Sequence, residues 1–430
     1  MKRFFLILLV LSALASVAGS QTITVLHQGD QPYANYPDWK YSQGFTGVLT
    51  KLEAAYEALN PGIDIVLGMQ DLSTGAPLSL EAALAAKRPP SLIDSGEGVV
   101  SKLMVPDYAI VMDQYVNVSD YSKVGLDRAR RGGKLYGLPN MLSSSAMMWN
   151  LDMLSEVGYK LPAVDAMTTD EFLKVARLLK AKGHYVTILF AKNQSSDMWW
   201  MTWFYAFGAQ QYKPGDYTKS TLNTPAAVKA LKFLKQLVDE RLVPPNPSEL
   251  DDDQALDMWA KGEAAALPMQ IGHATTVDSY VKQGILKKAF AYDYTEVPHA
   301  VGQKHTPVYT GQNIVVGHLS GDAKIDRLIA GFAELMTGFE WQYLSGRSGN
   351  FPTRATAVAA LKDTMPAIWN KQIGIINTAG VIDRGAHLPV FSQTRGAMFP
   401  LMQEFYAGKM TAEVVLKTYA TAIDKILSGK

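Results

Sequence analysis

The segment Asp197-Met198-Trp199-Trp200-Met201-Thr202-Trp203-Phe204-Tyr205 sets one carboxylate beside a cluster of indoles. Carboxylates accept hydrogen bonds in a plane, and aromatic faces cover C–H surface, so the combination suits a ligand with hydroxyls around its edge. The same run also reads as a helix burying Trp200, Trp203 and Phe204 in a core. Further polar candidates follow short apolar runs directly: Gln28 and Asp30 after Thr22 to His27, Gln70 and Asp71 after Ile63 to Leu67, and Glu97 after Ser91 to Asp94. They are placed to touch a ligand or to cap the helices that follow. Other apparent motifs carry little chemistry. His299 and His305 are too loosely placed for a metal site, Asp251-Asp252-Asp253 reads as the charged start of a helix, and G-x-S-x-G, H-E-x-x-H and P-loop patterns are missing. No metal or cofactor is expected.

The elements that must position these residues alternate. Thr22 to His27 reads as a buried strand, and Phe45, Val48, Leu49, Leu52, Ala55, Tyr56 and Leu59 recur at helical spacing until Asn60-Pro61-Gly62. Ile63 to Leu67 is a second strand, Leu80 to Ala86 a second helix, and Ser91 to Asp94 a third strand. That order predicts an α/β fold with a parallel sheet, whose strand ends line one rim where ligands of open sheets bind. Leu135 to Pro139 follows as a short strand, then Met141 to Asn150. Thr168 and Glu171 have capping-box spacing before a helix that ends at Gly183, and Thr224-Pro225 opens another. Val414 to Leu427 is a final amphipathic helix.

The chain opens with Lys2 and Arg3, an apolar run from Phe4 to Leu11 and small residues from Ser12 to Ser20, the order of a cleavable secretory leader over residues 1–20. Cleavage is expected near residues 18–20. Cysteine is absent from all 430 residues, which excludes a lipidated cysteine, disulfides and thiolate chemistry. A periplasmic protein without a membrane anchor is therefore expected. Lys and Arg number 41 against 40 Asp and Glu, so no electrostatic pull toward nucleic acid arises. The 8 Trp and 20 Tyr supply either a core or stacking surfaces.

Several segments together resemble the extracellular solute-binding proteins of ABC importers, family 1, in the maltose-binding-like carbohydrate group. Gly133-Lys134-Leu135-Tyr136-Gly137-Leu138-Pro139, Met147 to Asp152, Val157-Gly158-Tyr159, Leu161-Pro162 and the Thr168 helix follow the family signature in order. Leu222 to Leu231, Met258 to Ala265 and Gly349 to Arg354 continue it. The resemblance implies a two-lobe periplasmic binding protein fold of type II, closing on a ligand in a hinged cleft. Residues 21–140 and 297–350 would form the N-terminal lobe, and residues 141–296 and 351–430 the C-terminal lobe.

By the same resemblance, Asp197 with Trp199 or Trp200 would supply a carboxylate and an aromatic platform, and Trp149 an aromatic wall or a packed hinge residue. Ser143, Ser144 and Ser145 would lie at the first crossover, as hydroxyl donors or as a turn. Gly272 and His273 follow a strand at a contact position where the family's Trp is missing. Gly311 and Gln312, after Thr310, lie before a strand from Ile314 to Val316, and Phe391 and Arg395 fall near the last contacting segment. The implied role is non-catalytic: a monomer that captures a sugar and presents it to membrane permease subunits. Two alternatives stay open, a glycerol-phosphate or other anionic solute gripped by Arg395, and a secreted glycoside hydrolase.

Overall fold

Alternation of buried and exposed residues along Gln21 to His27, with Ile23, Val25 and His27 turned inward, makes this segment a strand of a half-buried sheet. It belongs to a computed structural model that describes residues 21–27, 44–69, 78–162, 167–347, 349–362 and 367–429. The leader expected over residues 1–20 lies outside the described residues, as do Gln28, Asp30, Gln70 and Asp71.

Strand β1 (Gln21–His27) leads through helix α1 (Gly44–Leu59) to β2 (Ile63–Met69), then through α2 (Leu78–Ala85) to β3 (Leu92–Gly96). Both β2 and β3 pair with β1 in parallel, as the strand–helix alternation requires. Gly62, with φ of 95°, makes the turn out of α1 that a residue with a Cβ resists. A short helix α3 (Glu97–Val100) starts immediately after β3, and Ser122 caps α4 (Lys123–Ala129) by accepting from the Gly125 N–H.

The 13-residue strand β4 (Leu138–Asn150) replaces the expected short strand ending at Pro139. Pro139 has no N–H for the ladder, and the pairing shifts register between Pro139 and Met141 instead of stopping. Beyond β4 come α5 (Thr169–Ala181), capped by Thr168, α6 (Asp197–Ala206), and α7 (Pro225–Asp239), capped by Thr224. Strands β5 (Ala266–Gln270), β6 (Tyr292–Thr295) and β7 (Tyr309–Gly317) follow, then helices α8 (Ala323–Met336), α9 (Phe391–Gly396) and α10 (Ala412–Ser428). The sheet order is β2-β1-β3-β7-β4-β5, with β6 also on β4. Every pairing that involves β4 or β7 is antiparallel.

Two hydrophobic cores result. One gathers Ile23, Val48, Leu92, Leu138, Val315 and Phe332, and the other Trp149, Phe172, Trp203, Leu234, Trp259 and Tyr419. Strands β4 and β7 serve both cores: Leu138 and Val315 belong to the first, Met148 and Tyr309 to the second. Between those ends the two strands run side by side through a polar stretch, pairing Leu142 with Gln312, Ser143 with Gly311, Ser144 with Thr310 and Ser145 with Tyr309. Among the described residues no helix is long and apolar enough to cross a membrane.

Candidate functional site

Where the two cores meet, charged side chains from several distant parts of the chain converge. Glu97 is the first residue of α3, and its carboxylate is 4% exposed. It accepts from Arg384 Nη2 in a close contact and from Arg128 Nη1 at 3.2 Å. Asp197, the first residue of α6 and 1% exposed, takes both Arg395 Nε at 2.6 Å and Arg395 Nη2 at 2.8 Å. This two-point geometry is the strong form of a guanidinium–carboxylate contact. The Tyr309 hydroxyl donates to Asp197 Oδ1 at 2.9 Å and accepts from Arg384 Nη1 at 2.6 Å. Arg384 thereby ties the Glu97 side of the junction to the Asp197 side.

Backbone and aromatic groups complete the arrangement. The Thr310 carbonyl on β7 accepts from Arg384 at 2.6 Å, and the Thr310 hydroxyl accepts from Arg128. The Arg384 guanidinium lies 4.2 Å from the Tyr309 ring centroid and 5.0 Å from that of Phe391, with Arg395 5.9 Å from the latter. Burial, against the opposing pull of the Arg384 charge and with help from the Asp197 charge, holds the Tyr309 hydroxyl well above the usual phenol range, so it stays a donor. Arg395 closes against the first core at Gly98, where a Cβ would meet its Nη1 at 2.7 Å. A cavity of about 10 Å³, the room of one water molecule, remains between Asp197, Trp200, Gln211, Arg384 and Arg395.

The profile of the family described as bacterial extracellular solute-binding protein matches residues 40–343. The chain belongs to this family of binding proteins. A protein of Brucella abortus (strain 2308) named as a binding protein is 25% identical over 266 residues, which span 58% of this chain and 61% of that protein's length. The lactose-binding protein of Rhizobium radiobacter is 24% identical over 176 residues, 38% of this chain and 40% of that protein. The solved ABC transporter solute-binding protein of Thermotoga lettingae, bound with α-D-tagatose, superposes with a TM-score of 0.76 at 20% identity over 95% of this chain and 100% of that one. At that identity the likeness speaks for the fold, which is the mixed α/β fold of maltose-binding-like periplasmic proteins.

Within this solute-binding fold, Glu97, Asp197, Phe391 and Arg395 are brought into one network. Gly311 and Gln312 lie beside it on β7. Gln312 donates to the Gly125 carbonyl at 2.9 Å, and Gly311 leaves room for the Ser143 hydroxyl, which a Cβ would meet at 2.8 Å. Ser144 is buried on β4, and its carbonyl accepts from Gln372 at 2.9 Å.

The indole positions require correction. Trp149 is buried in the second core, edge-on to Phe172, and its N–H donates to the Thr295 hydroxyl at 2.9 Å. Trp199 packs between Phe190 and Trp203 in the same core. Helix α6 is buried throughout and, apart from Asp197 and Thr202, carries only apolar and aromatic side chains, so its aromatic faces are largely used by the core. Trp200 packs on Phe204 and Tyr419, and of the three it alone lines the small cavity. Gly272 and His273 sit in the turn after β5, with Gly272 pressed against Gly349, where a Cβ would come within 2.1 Å. Burial pushes the His273 imidazole down to about 4, so it is neutral at pH 7.

Arg128, Tyr309 and Arg384 are absent from the residues singled out by sequence. Arg128 begins the Arg-Ala-Arg-Arg run before Gly132-Gly133, a concentration of cations that was the available signal. Arg384, in a loop, had none. Among the described residues, no group of three or more His, Cys, Asp or Glu side chains is placed to hold a metal ion.

Proposed function

We propose that this protein is the periplasmic substrate-binding component of an ABC importer and that it takes a sugar between two hinged lobes. The observation that carries the reading is the convergence of Glu97, Asp197, Arg384, Arg395, Tyr309 and Phe391 where the two cores meet, beside the strands that connect them. Carboxylates and guanidinium groups match hydroxyl pairs, and the Tyr309 and Phe391 rings match C–H faces. The lactose and tagatose ligands of the two relatives point the same way.

Lobe closure would draw its free energy from contacts that exist only when both halves hold the ligand. The proposed lobes are residues 21–140 with 297–350, and 141–296 with 351–430. The Ser122 N–H donates to the Thr353 carbonyl at 2.7 Å and Arg354 lies over Tyr121 at 4.1 Å, which supports carrying the first lobe on to about residue 362. The protein would act as a monomer, reach the periplasm through the leader and deliver its sugar to permease subunits. A thermal-shift panel of mono- and oligosaccharides tests the reading: a ligand at 100 times its Kd stabilises by about 2.7 kcal/mol. A panel that leaves the melting temperature unmoved defeats it.

A further inference from the structure

Three side chains around the small cavity beside Asp197 have polar atoms with nothing to bind. Arg384 Nε, Trp200 Nε1 and Gln211 Oε1 have no hydrogen-bond partner among the described residues, and all three residues line that cavity. Arg384 is 5%, Trp200 2% and Gln211 1% exposed. A buried donor or acceptor left unpaired costs stability, so three of them bordering one space call for an atom that satisfies them together.

The rest of each side chain is already engaged. Gln211 Nε2 donates to the Tyr419 hydroxyl at 2.8 Å, and the Trp200 ring packs on Phe204 and Tyr419. Arg384 spends Nη1 on the Tyr309 hydroxyl and Nη2 on Glu97 and the Thr310 carbonyl. Two N–H donors and one carbonyl acceptor are therefore left over, on side chains that packing holds in place.

The chemistry of the walls decides what fits among them. A cation would be repelled by Arg384 and Arg395, and an anion by the Asp197 carboxylate, all of which line the cavity. An ether or carbonyl oxygen only accepts, which would leave Gln211 Oε1 unpaired. A hydroxyl accepts from Arg384 and Trp200 through its lone pairs and donates to Gln211 with its own hydrogen. Size agrees with this, because about 10 Å³ admits a single oxygen atom and excludes a carboxylate or an acetamido group. The cavity also borders the cleft, since Arg384 and Arg395 are the side chains that meet Glu97 and Gly98 of the first half.

We infer that this cavity is the subsite for one hydroxyl of the sugar, and that Trp200 and Gln211 are the residues that read it. This rests on the sugar-binding reading of the same cleft and adds which group the second half recognises. The carbon bearing that hydroxyl then lies against Arg384, Arg395 and the Phe391 ring, with the remainder of the sugar in the cleft.

Calorimetric titration of the full chain with glucose, galactose and lactose, and with the monodeoxy analogues of each, tests the inference. For a sugar that binds, one analogue is expected to bind at least ~10-fold more weakly than its parent, because it leaves the buried polar groups unpaired. Trp200→Phe removes one donor and Gln211→Met removes the acceptor. Each variant, shown to be folded by its melting temperature, should bind the parent sugar about 10-fold more weakly and no longer distinguish it from that analogue. A residue that only supports the fold would lower affinity for parent and analogue alike and leave the discrimination intact, which overturns the inference. Equal affinity of every analogue and its parent also overturns it, makes the cavity the place of a structural water alone and leaves the sugar reading standing. Failure of every sugar to bind defeats the sugar reading and the inference together.

Discussion

Asp94, in the middle of β3, and Glu97, the first residue after it, lie three positions apart, 2% and 4% exposed, and their surroundings are opposite. Glu97 meets two guanidinium groups, Arg128 from its own side of the junction and Arg384 from across it. Asp94 points into the first core, where its one hydrogen bond comes from the Asn140 amide at 2.8 Å and its second oxygen has no partner. Burial pushes the Asp94 carboxyl up to about 7, against a smaller downward pull from Asn140. A buried carboxylate is costly unless cations come with it. Strand β3 thus delivers a charged group to the cleft and a partly neutralised one to the core.

The sharpest way to break this contrast is to remove an anion from the junction. Asp197→Ala would strand the largely buried Arg395 without its carboxylate and remove an acceptor from Tyr309, and we expect a loss of about 3–5 kcal/mol in urea denaturation. Near-native stability would mean that the network is not structural.

Asp94→Asn probes the other side. The folded pKa of Asp94 lies above its unfolded value of 3.8, so its contribution is fully favourable below about pH 4 and is lost as pH rises to about 7. The variant should match the native chain at pH 4 and exceed it above pH 7 by up to about 4 kcal/mol, at 1.4 kcal/mol per unit. Its amide can also donate to Asn140 Oδ1, which has no partner. Parallel stability curves across that range would show Asp94 to be ionised in the fold.

Trp149→Phe tests the reassignment of the indoles. Loss of the bond to Thr295 should cost about 1 kcal/mol in denaturation, with ligand affinity unchanged in titration. Weaker binding at unchanged stability would return Trp149 to the cleft. The smallest effect is expected at the surface. Arg177 makes a two-point contact with Glu240 at 2.8 Å, but solvent screens it, so Arg177→Ala should change stability by less than about 1 kcal/mol, and less still in high salt.

Much of the architecture could be read along the chain because it depends on neighbours. Thr168, Thr224 and Asp251 accept from backbone N–H groups three residues on, and those contacts follow from local spacing. Alternation of strand and helix likewise led to the parallel opening of the sheet. The aromatic run after Asp197 left two readings open for the opposite reason. Three indoles with one carboxylate have the composition of a sugar platform and of a packed helix alike, and only their neighbours Phe190, Phe172, Phe233 and Tyr419 separate the two.

From residue order alone came the family signature, the capped helices and the rim position of Glu97, all features set over a few residues; the crossover at Ser143 was implied only by the family resemblance. The charged junction needed the folded molecule. Arg128, Arg384 and Arg395 come from three separate stretches of chain, and their charges acquire meaning only where packing excludes water and no screening remains between them. Which carboxylates meet them is decided by the long antiparallel pairing of β4 with β7, a contact between segments about 170 residues apart that no local preference encodes.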